Sequence, residues 1–206
     1  MSEDRPARPK SILESIRQGR IRRIDFLGDS ITQGCGYVSR QEGYPDLLLD
    51  KMRQLAGHDR FRIYNHAVGG ATAAGGAGRL HWCEHEPSPP DLSFVMFGLN
   101  DVYLSGSEDD YAHHLGTMMN RLNRMGSEVV LLGPTPFPAR DADVHSFSLR
   151  ASREAGRARV KFVDCLKPFY QGGRLPEGML WPDGIHLTAR GHRVVAEWIW
   201  KELEAM

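Results

Sequence analysis

The chain has 206 residues, enough for one α/β domain with a full core, and no linker-like stretch divides it. Lysine plus arginine and aspartate plus glutamate both number 26, so the formal net charge is zero, which argues against a nucleic-acid groove or an anionic membrane surface as the main partner. The opening MSEDRPARPKS is too polar for a secretory signal, the longest apolar run (LSFVMFGL, 92–99) is too short to span a bilayer, and Cys35, Cys83 and Cys165 form neither a CxxC pair nor an even disulfide set. The expectation is a cytoplasmic protein with a small-molecule partner and neither nucleic acid nor membrane insertion; a homo-oligomer is compatible with the sequence and not specified by it.

Residues 1–20 read as a peripheral N-terminal extension. The first strand is predicted at RRIDFLG (22–28), followed by a helix over Tyr44–Leu55 with Leu47, Leu48, Met52 and Leu55 on one side. Strands follow at FRIYNHAV (61–68) and LSFVMFG (92–98). Tyr111, Leu115, Met118, Met119, Leu122 and Met125 then recur at helical spacing until Gly126 stops them. EVVLLG (128–133) and VKFVDC (160–165) complete five strands, and a last helix starts after the N-cap Thr188, carrying Val194, Val195, Trp198, Ile199 and Leu203. Several strands are continuously apolar, as central parallel strands covered on both faces must be. Strands alternating with helices imply right-handed crossovers and a parallel sheet between helical layers. In such sheets, sites form beyond the carboxyl ends of the strands.

That rule gathers residues from most of the chain. Ser30 follows the first strand in GDSITQG, Gly69-Gly70 follows the second in NHAVGGAT, and Asn100 follows the third in GLND. Asp183 and His186, in WPDGIHLT, precede the final helix. Acyl transfer by a serine needs such a set: a hydroxyl, an imidazole to take its proton, a carboxylate to fix the tautomer, and donors for the oxyanion. Asp-x-x-His also occurs at Asp110/His113, but there it opens an amphipathic helix behind the polar GSEDD, where exposed helix residues are the plain reading.

GDSITQG, NHAVGGAT, GLND and DGIH, in this order from residue 26 to 188, resemble the four blocks of the SGNH subgroup of GDSL hydrolases. The resemblance implies a flavodoxin-like three-layer α/β/α sandwich with a five-stranded parallel sheet, and a serine esterase. It implies Ser30 as nucleophile, His186 as base and Asp183 as its orienting partner. Ser30 N–H, Gly70 N–H and the Asn100 side chain would serve as oxyanion donors, with Gly69 an alternative to Gly70. No metal or cofactor is needed.

Other motifs carry less. The chain lacks G-x-S-x-G, a Walker A loop and G-x-G-x-x-G. Asp29 reads as a loop-stabilising carboxylate beside the substrate and Asp101 as a brace. Cys35 reads as a bystander thiol, and His81 and His85 as surface histidines, since Glu84 is misplaced for H-E-x-x-H. A pocket is expected from Tyr37, Tyr103, Phe137, Phe147, Met179 and Trp181, with the proline-rich PTPFPARDADVHSF (134–147) as a short wall or partial lid. Without a long hydrophobic lid, a short acyl group is favoured, with an O-acetyl group on a sugar or small metabolite leading. Two other readings are an acyltransferase using the same acyl-enzyme and a non-catalytic flavodoxin-like module holding a phosphate at Ser30 and Thr32.

Overall fold

A computed structural model describes residues 11–34 and 36–206, so residues 1–10 of the predicted extension and the Cys35 thiol lie outside the described residues. Five strands form one sheet: β1 (Arg23–Gly28), β2 (Arg62–Asn65), β3 (Leu92–Met96), β4 (Glu128–Leu132) and β5 (Lys161–Val163). Their order is β2-β1-β3-β4-β5 and every neighbouring pair is parallel. All five lie within the predicted segments, β2 and β5 trimmed at both ends and the others at one. β1 and β3 are buried at every position, whereas β2 and β5, at the edges, are partly exposed. Across the centre, Phe26 pairs with Phe94 and their rings stack at 5.1 Å.

The helices are α1 (Ile12–Arg17), α2 (Ser30–Gln33), α3 (Tyr44–Ala56), α4 (Ala73–Gly78), α5 (His81–Glu84), α6 (Leu99–Tyr103), α7 (Glu108–Arg124), α8 (Asp141–Ala158) and α9 (Ala189–Ala205). α1, α3 and α9 pack as one layer, and α4, α7 and α8 as another, flanking the sheet. Local chemistry sets their ends. Ser107 caps α7 by accepting from Asp109 and Asp110 N–H, acids fill its first turn, and Arg121 and Arg124 meet the negative end of its dipole. The Thr188 hydroxyl accepts from Gly191 N–H at 3.2 Å and starts α9 as predicted. Tyr111, Leu115, Met118, Met119 and Leu122 are the buried stripe of α7, each large side chain contributing about 1.5–3 kcal/mol by leaving water.

Two expectations are corrected. Ile12, Leu13 and Ile16 of α1 are core residues packed under α3 and α9, so residues 12–17 are no peripheral extension. Only two turns long, α1 shows too little periodicity to be read as a helix. The segment 134–147 is neither wall nor lid. Phe137 and Phe147 are buried in the core, and α8 begins at Asp141, with Val144, Phe147, Ser148, Ala151 and Ala155 turned inward. The prolines drew the reading toward a loop, and a stripe built on serine and alanine is a weak apolar signal.

β1 also buries an ion pair. The Arg23 guanidinium grips Asp25 through Nε–Oδ1 at 2.7 Å and donates to the Cys83 and Ser88 carbonyls, while His66 Nε2 lies 3.1 Å from Asp25 Oδ2. Every charged atom is partnered, which lets a strand carry Arg-x-Asp through an apolar core.

Candidate active site

Ser30 is placed by the tight passage from β1 into α2. Gly28 ends the strand where no side chain fits: a Cβ there would lie 2.6 Å from Thr32 Cβ and 2.9 Å from the Met96 carbonyl. Asp29 caps the four-residue helix, its Oδ1 accepting from Ile31 N–H at 2.9 Å. Ser30 is thereby lifted onto the carboxyl edge of the sheet, and its own N–H has no acceptor among the described residues.

The imidazole arrives from the other end of the chain. The loop before α9 is held by Trp181 N–H to His186 O at 2.7 Å and an antiparallel bridge between Leu180 and Leu187. Asp183 Oδ1 accepts from the Ile185 and His186 N–H groups at 2.9 and 3.0 Å, a turn that aims Oδ2 at His186 Nδ1, 2.8 Å away. His186 Nε2 lies 2.8 Å from Ser30 Oγ. Burial pushes the Asp183 pKa up, but the two backbone donors and the ring outweigh it and hold the carboxyl below its ordinary value. An ionised carboxylate, a ring tied at Nδ1 and a hydroxyl at Nε2 can pass one proton from oxygen to imidazole.

Opposite the serine, the loop after β2 turns through Gly70 at φ +77°, in the left-handed region. Gly69 N–H is occupied by the Gln33 Oε1 at 2.9 Å, whereas Gly70 N–H has no acceptor among the described residues. Asn65 ties the same loop to α2, donating to the Thr32 carbonyl at 3.0 Å. Asn100 is the second residue of α6; its Nδ2 donates to Ala71 O at 3.1 Å and, more weakly, to Asp29 Oδ2 at 3.3 Å. Asp101 braces α6 against α4, as expected, accepting from Ala73 N–H on both oxygens at 3.1 Å. Asp29 is buried, and burial, with the Asp101 charge adding to it, lifts its pKa to about 7 against the pull of the Ile31 and Asn100 donors.

These groups surround an open cleft of about 420 Å³, lined by Ser30, Gln33, Tyr37, Gly69, Gly70, Leu99, Asn100, Tyr103, Ile185 and His186. Larger depressions exist, of about 530 Å³ beside Arg17, Arg60 and Arg62 and about 570 Å³ beside Gly126–Val129. Neither brings a nucleophile to a base, so chemistry and not size selects the cleft. Of the aromatic residues expected in it, Tyr37 and Tyr103 line the wall. Phe137 does not: it is buried behind Tyr103, ring centroids 6.3 Å apart. Trp181 lies outside, its ring edge-on to Tyr37 at 6.1 Å, and Met179 is core. Asp29 lies under the serine, facing α2 and Asn100 and not the cleft. Phe147, on α8, is core as well, so Phe137, Phe147, Met179 and Trp181, four of the six expected lining residues, lie elsewhere; burial along such segments is not legible in sequence. Gln33, Leu99 and Ile185 were missed, although Gln33 is one helical turn beyond Ser30 and Ile185 adjoins His186.

The rival pair, Asp110 and His113, is exposed on α7, and His81 and His85 are exposed on and beside α5. Asp25, His66 and Cys83 bring one ligand atom each within 4.8 Å of one another. Arg23 already occupies both carboxylate oxygens there, and a buried guanidinium is a poor neighbour for a metal cation.

A family model for the GDSL-like lipase/acylhydrolase family matches residues 26–194. The chain is 27% identical over 184 residues to esterase TesA of Pseudomonas aeruginosa, covering 87% of each chain. It is 27% identical over 187 residues to the GDSL-like esterase Rv1075c of Mycobacterium tuberculosis, covering 84% of this chain and spanning 58% of that protein. The crystal structure of TesA matches with a TM-score of 0.75 at 26% identity, covering 89% of this chain and 99% of that one. Axe2, an acetylxylan esterase from Geobacillus stearothermophilus, shares the fold with a TM-score of 0.74 at 19% identity, covering 88% and 94%.

Proposed function

The chain belongs to the GDSL-like lipase/acylhydrolase family, and from that premise we propose that it is a serine esterase acting on short-chain carboxylic esters. The observation that carries this reading is the unbroken line Asp183–His186–Ser30, with both links at 2.8 Å, opening into the cleft. Ser30 Oγ attacks the ester carbonyl as His186 Nε2 takes its proton, and Asp183 holds the Nδ1–H tautomer and balances the imidazolium. The tetrahedral oxyanion accepts from Ser30 N–H, Gly70 N–H and the Asn100 amide. His186 returns the proton to the departing alcohol, and water releases the acyl group from Ser30 by the same steps in reverse.

The occupied N–H of Gly69 supports Gly70 as the donor. For Asn100 to donate, its amide gives up the longer of its two bonds, the one to Asp29 at 3.3 Å. A partly protonated Asp29 makes that bond the easier to release. The cleft supports a small acyl group, because Gly70 and Asn100 close in beside the serine and Leu99 and Ile185 add only short apolar walls. On the alcohol side, Tyr103 presents an exposed ring, 60% accessible, as a flat face for a sugar, which supports an O-acetyl sugar or similar metabolite.

The test is a series of p-nitrophenyl esters from acetyl to long acyl, with acetylated sugars, assayed against Ser30→Ala. Turnover should peak at short chains and vanish in the variant, and a fluorophosphonate should label the parent chain alone. Full turnover by a pure, folded Ser30→Ala protein would overturn the assignment.

A further inference from the structure

The Tyr37 ring lies flat on the His186 imidazole, centroids 3.6 Å apart and planes 8° from parallel. Two neutral aromatic rings avoid this arrangement, since their quadrupoles favour offset or edge-on contacts. Trp181 meets Tyr37 in just that edge-on way, at 73°. A face-to-face stack suits one neutral ring and one cation, because the negative face of a phenol attracts a positive charge above it. His186 becomes such a cation only when it has taken a proton.

We infer that Tyr37 is a positioning residue for the proposed reaction, its ring locking the His186 imidazole in line between Asp183 and Ser30 and stabilising the imidazolium that forms as Ser30 attacks. The inference rests on the serine-esterase reading of the site. Asp183 and Ser30 fix the imidazole at its two nitrogens within the ring plane, and neither restrains rotation of the plane about that line. Tyr37 supplies that restraint from above, and Trp181 backs it from the side. Because the attraction is stronger for the cation than for the neutral ring, it favours the transition state over the ground state and acts on kcat. Among the described residues, no carboxylate other than Asp183 is bonded to the imidazole, and the His186 charge opposes protonation of His192 on α9. Tyr37 is therefore a cation-stabilising group at His186 that is independent of Asp183.

Tyr37→Leu keeps the imidazole covered while removing the π face, and Tyr37→Phe keeps the face while removing the hydroxyl. The leucine variant should lose about 3- to 30-fold in kcat with little change in KM, the range expected of one cation–π contact. The phenylalanine variant should stay near the parent. In the free protein, the His186 imidazole titration followed by NMR should move to lower pH in Tyr37→Leu and stay put in Tyr37→Phe, as should the acid limb of kcat/KM. A leucine variant with parental kcat and titration, a change confined to KM, or a phenylalanine variant as impaired as the leucine one would each overturn the inference. The titration needs no turnover, so it tests the stack separately; Ser30→Ala, run alongside, tests the esterase reading itself.

Discussion

At the scale of single residues, the site depends on which N–H groups are already taken and which are left without an acceptor. Gln33 shows the logic: its Oε1 takes the Gly69 N–H, while the N–H of Gly70, which lines the cleft, has no acceptor among the described residues. Gln33→Ala should loosen that loop and lower kcat about 10-fold with the fold intact, whereas Gln33→Glu, which still accepts from Gly69, should retain more activity; equal loss in both would show that the hydrogen bond is not what matters. Asn100→Ala should cost roughly 10²- to 10³-fold in kcat if its amide meets the oxyanion. His113→Ala, in the rival Asp-x-x-His pair, should leave ester hydrolysis near normal. The residue types of the proposed triad were legible from sequence because a serine, a histidine and an aspartate in those blocks are chemically distinctive. Their supports were not: nothing in the run SITQG says that Gln33 binds Gly69, and nothing in PDGIH says that Tyr37 lies over the ring.

At the scale of elements, function depends on how helix starts are pinned. His192 near the start of α9 is buried, and its Nδ1 accepts from Tyr44 N–H at the start of α3, 3.2 Å away, so the ring must be neutral there. Burial pulls its pKa from 6.5 down to about 4, with the His186 charge acting in the same direction. The folded value lies below the unfolded one, so the stability linked to this neutral ring is complete above about pH 6.5 and is lost as pH falls through about 4. The loss is on the order of 3 kcal/mol. Denaturant melts of His192→Asn, which keeps an acceptor in place of Nδ1 without titrating, should show a flatter stability profile across that window; an unchanged slope would assign the acid sensitivity elsewhere. The turn from β1 into α2 is as demanding. Gly28→Ala must push Thr32 or the β3 backbone aside and should both destabilise the protein by about 1–3 kcal/mol and displace Ser30.

At the scale of the whole molecule, the parallel sheet makes the site possible. Ser30, Gly70 and Asn100 follow adjacent strands of the order β2-β1-β3, and because these strands are parallel all three lie at their carboxyl ends. The buried Arg23–Asp25 pair lies in β1, the strand that carries Ser30, and breaking it should unfold more than it silences. Asp25→Ala leaves a buried guanidinium without its partner and should cost about 3–5 kcal/mol by chemical denaturation. A cost under 1 kcal/mol would mean that water reaches the pair. No helix among the described residues is long and apolar enough to cross a membrane.

The sequence by itself determined the strand segments, the α/β alternation, the family and the identity of the chemical groups. Continuous apolar runs, caps and distinctive side chains are local properties that survive without coordinates. Only the tertiary structure decided which groups meet. Ser30 and His186 are 156 positions apart, and their 2.8 Å contact depends on two loops set by different crossovers. The same holds for the bond that occupies the Gly69 N–H and not the Gly70 N–H, the burial of Phe137 behind Tyr103, the packing of α1 into the core and the stack of Tyr37 on His186. Each rests on where a side chain lies relative to a distant element, and periodicity reports only which face of its own element a residue occupies.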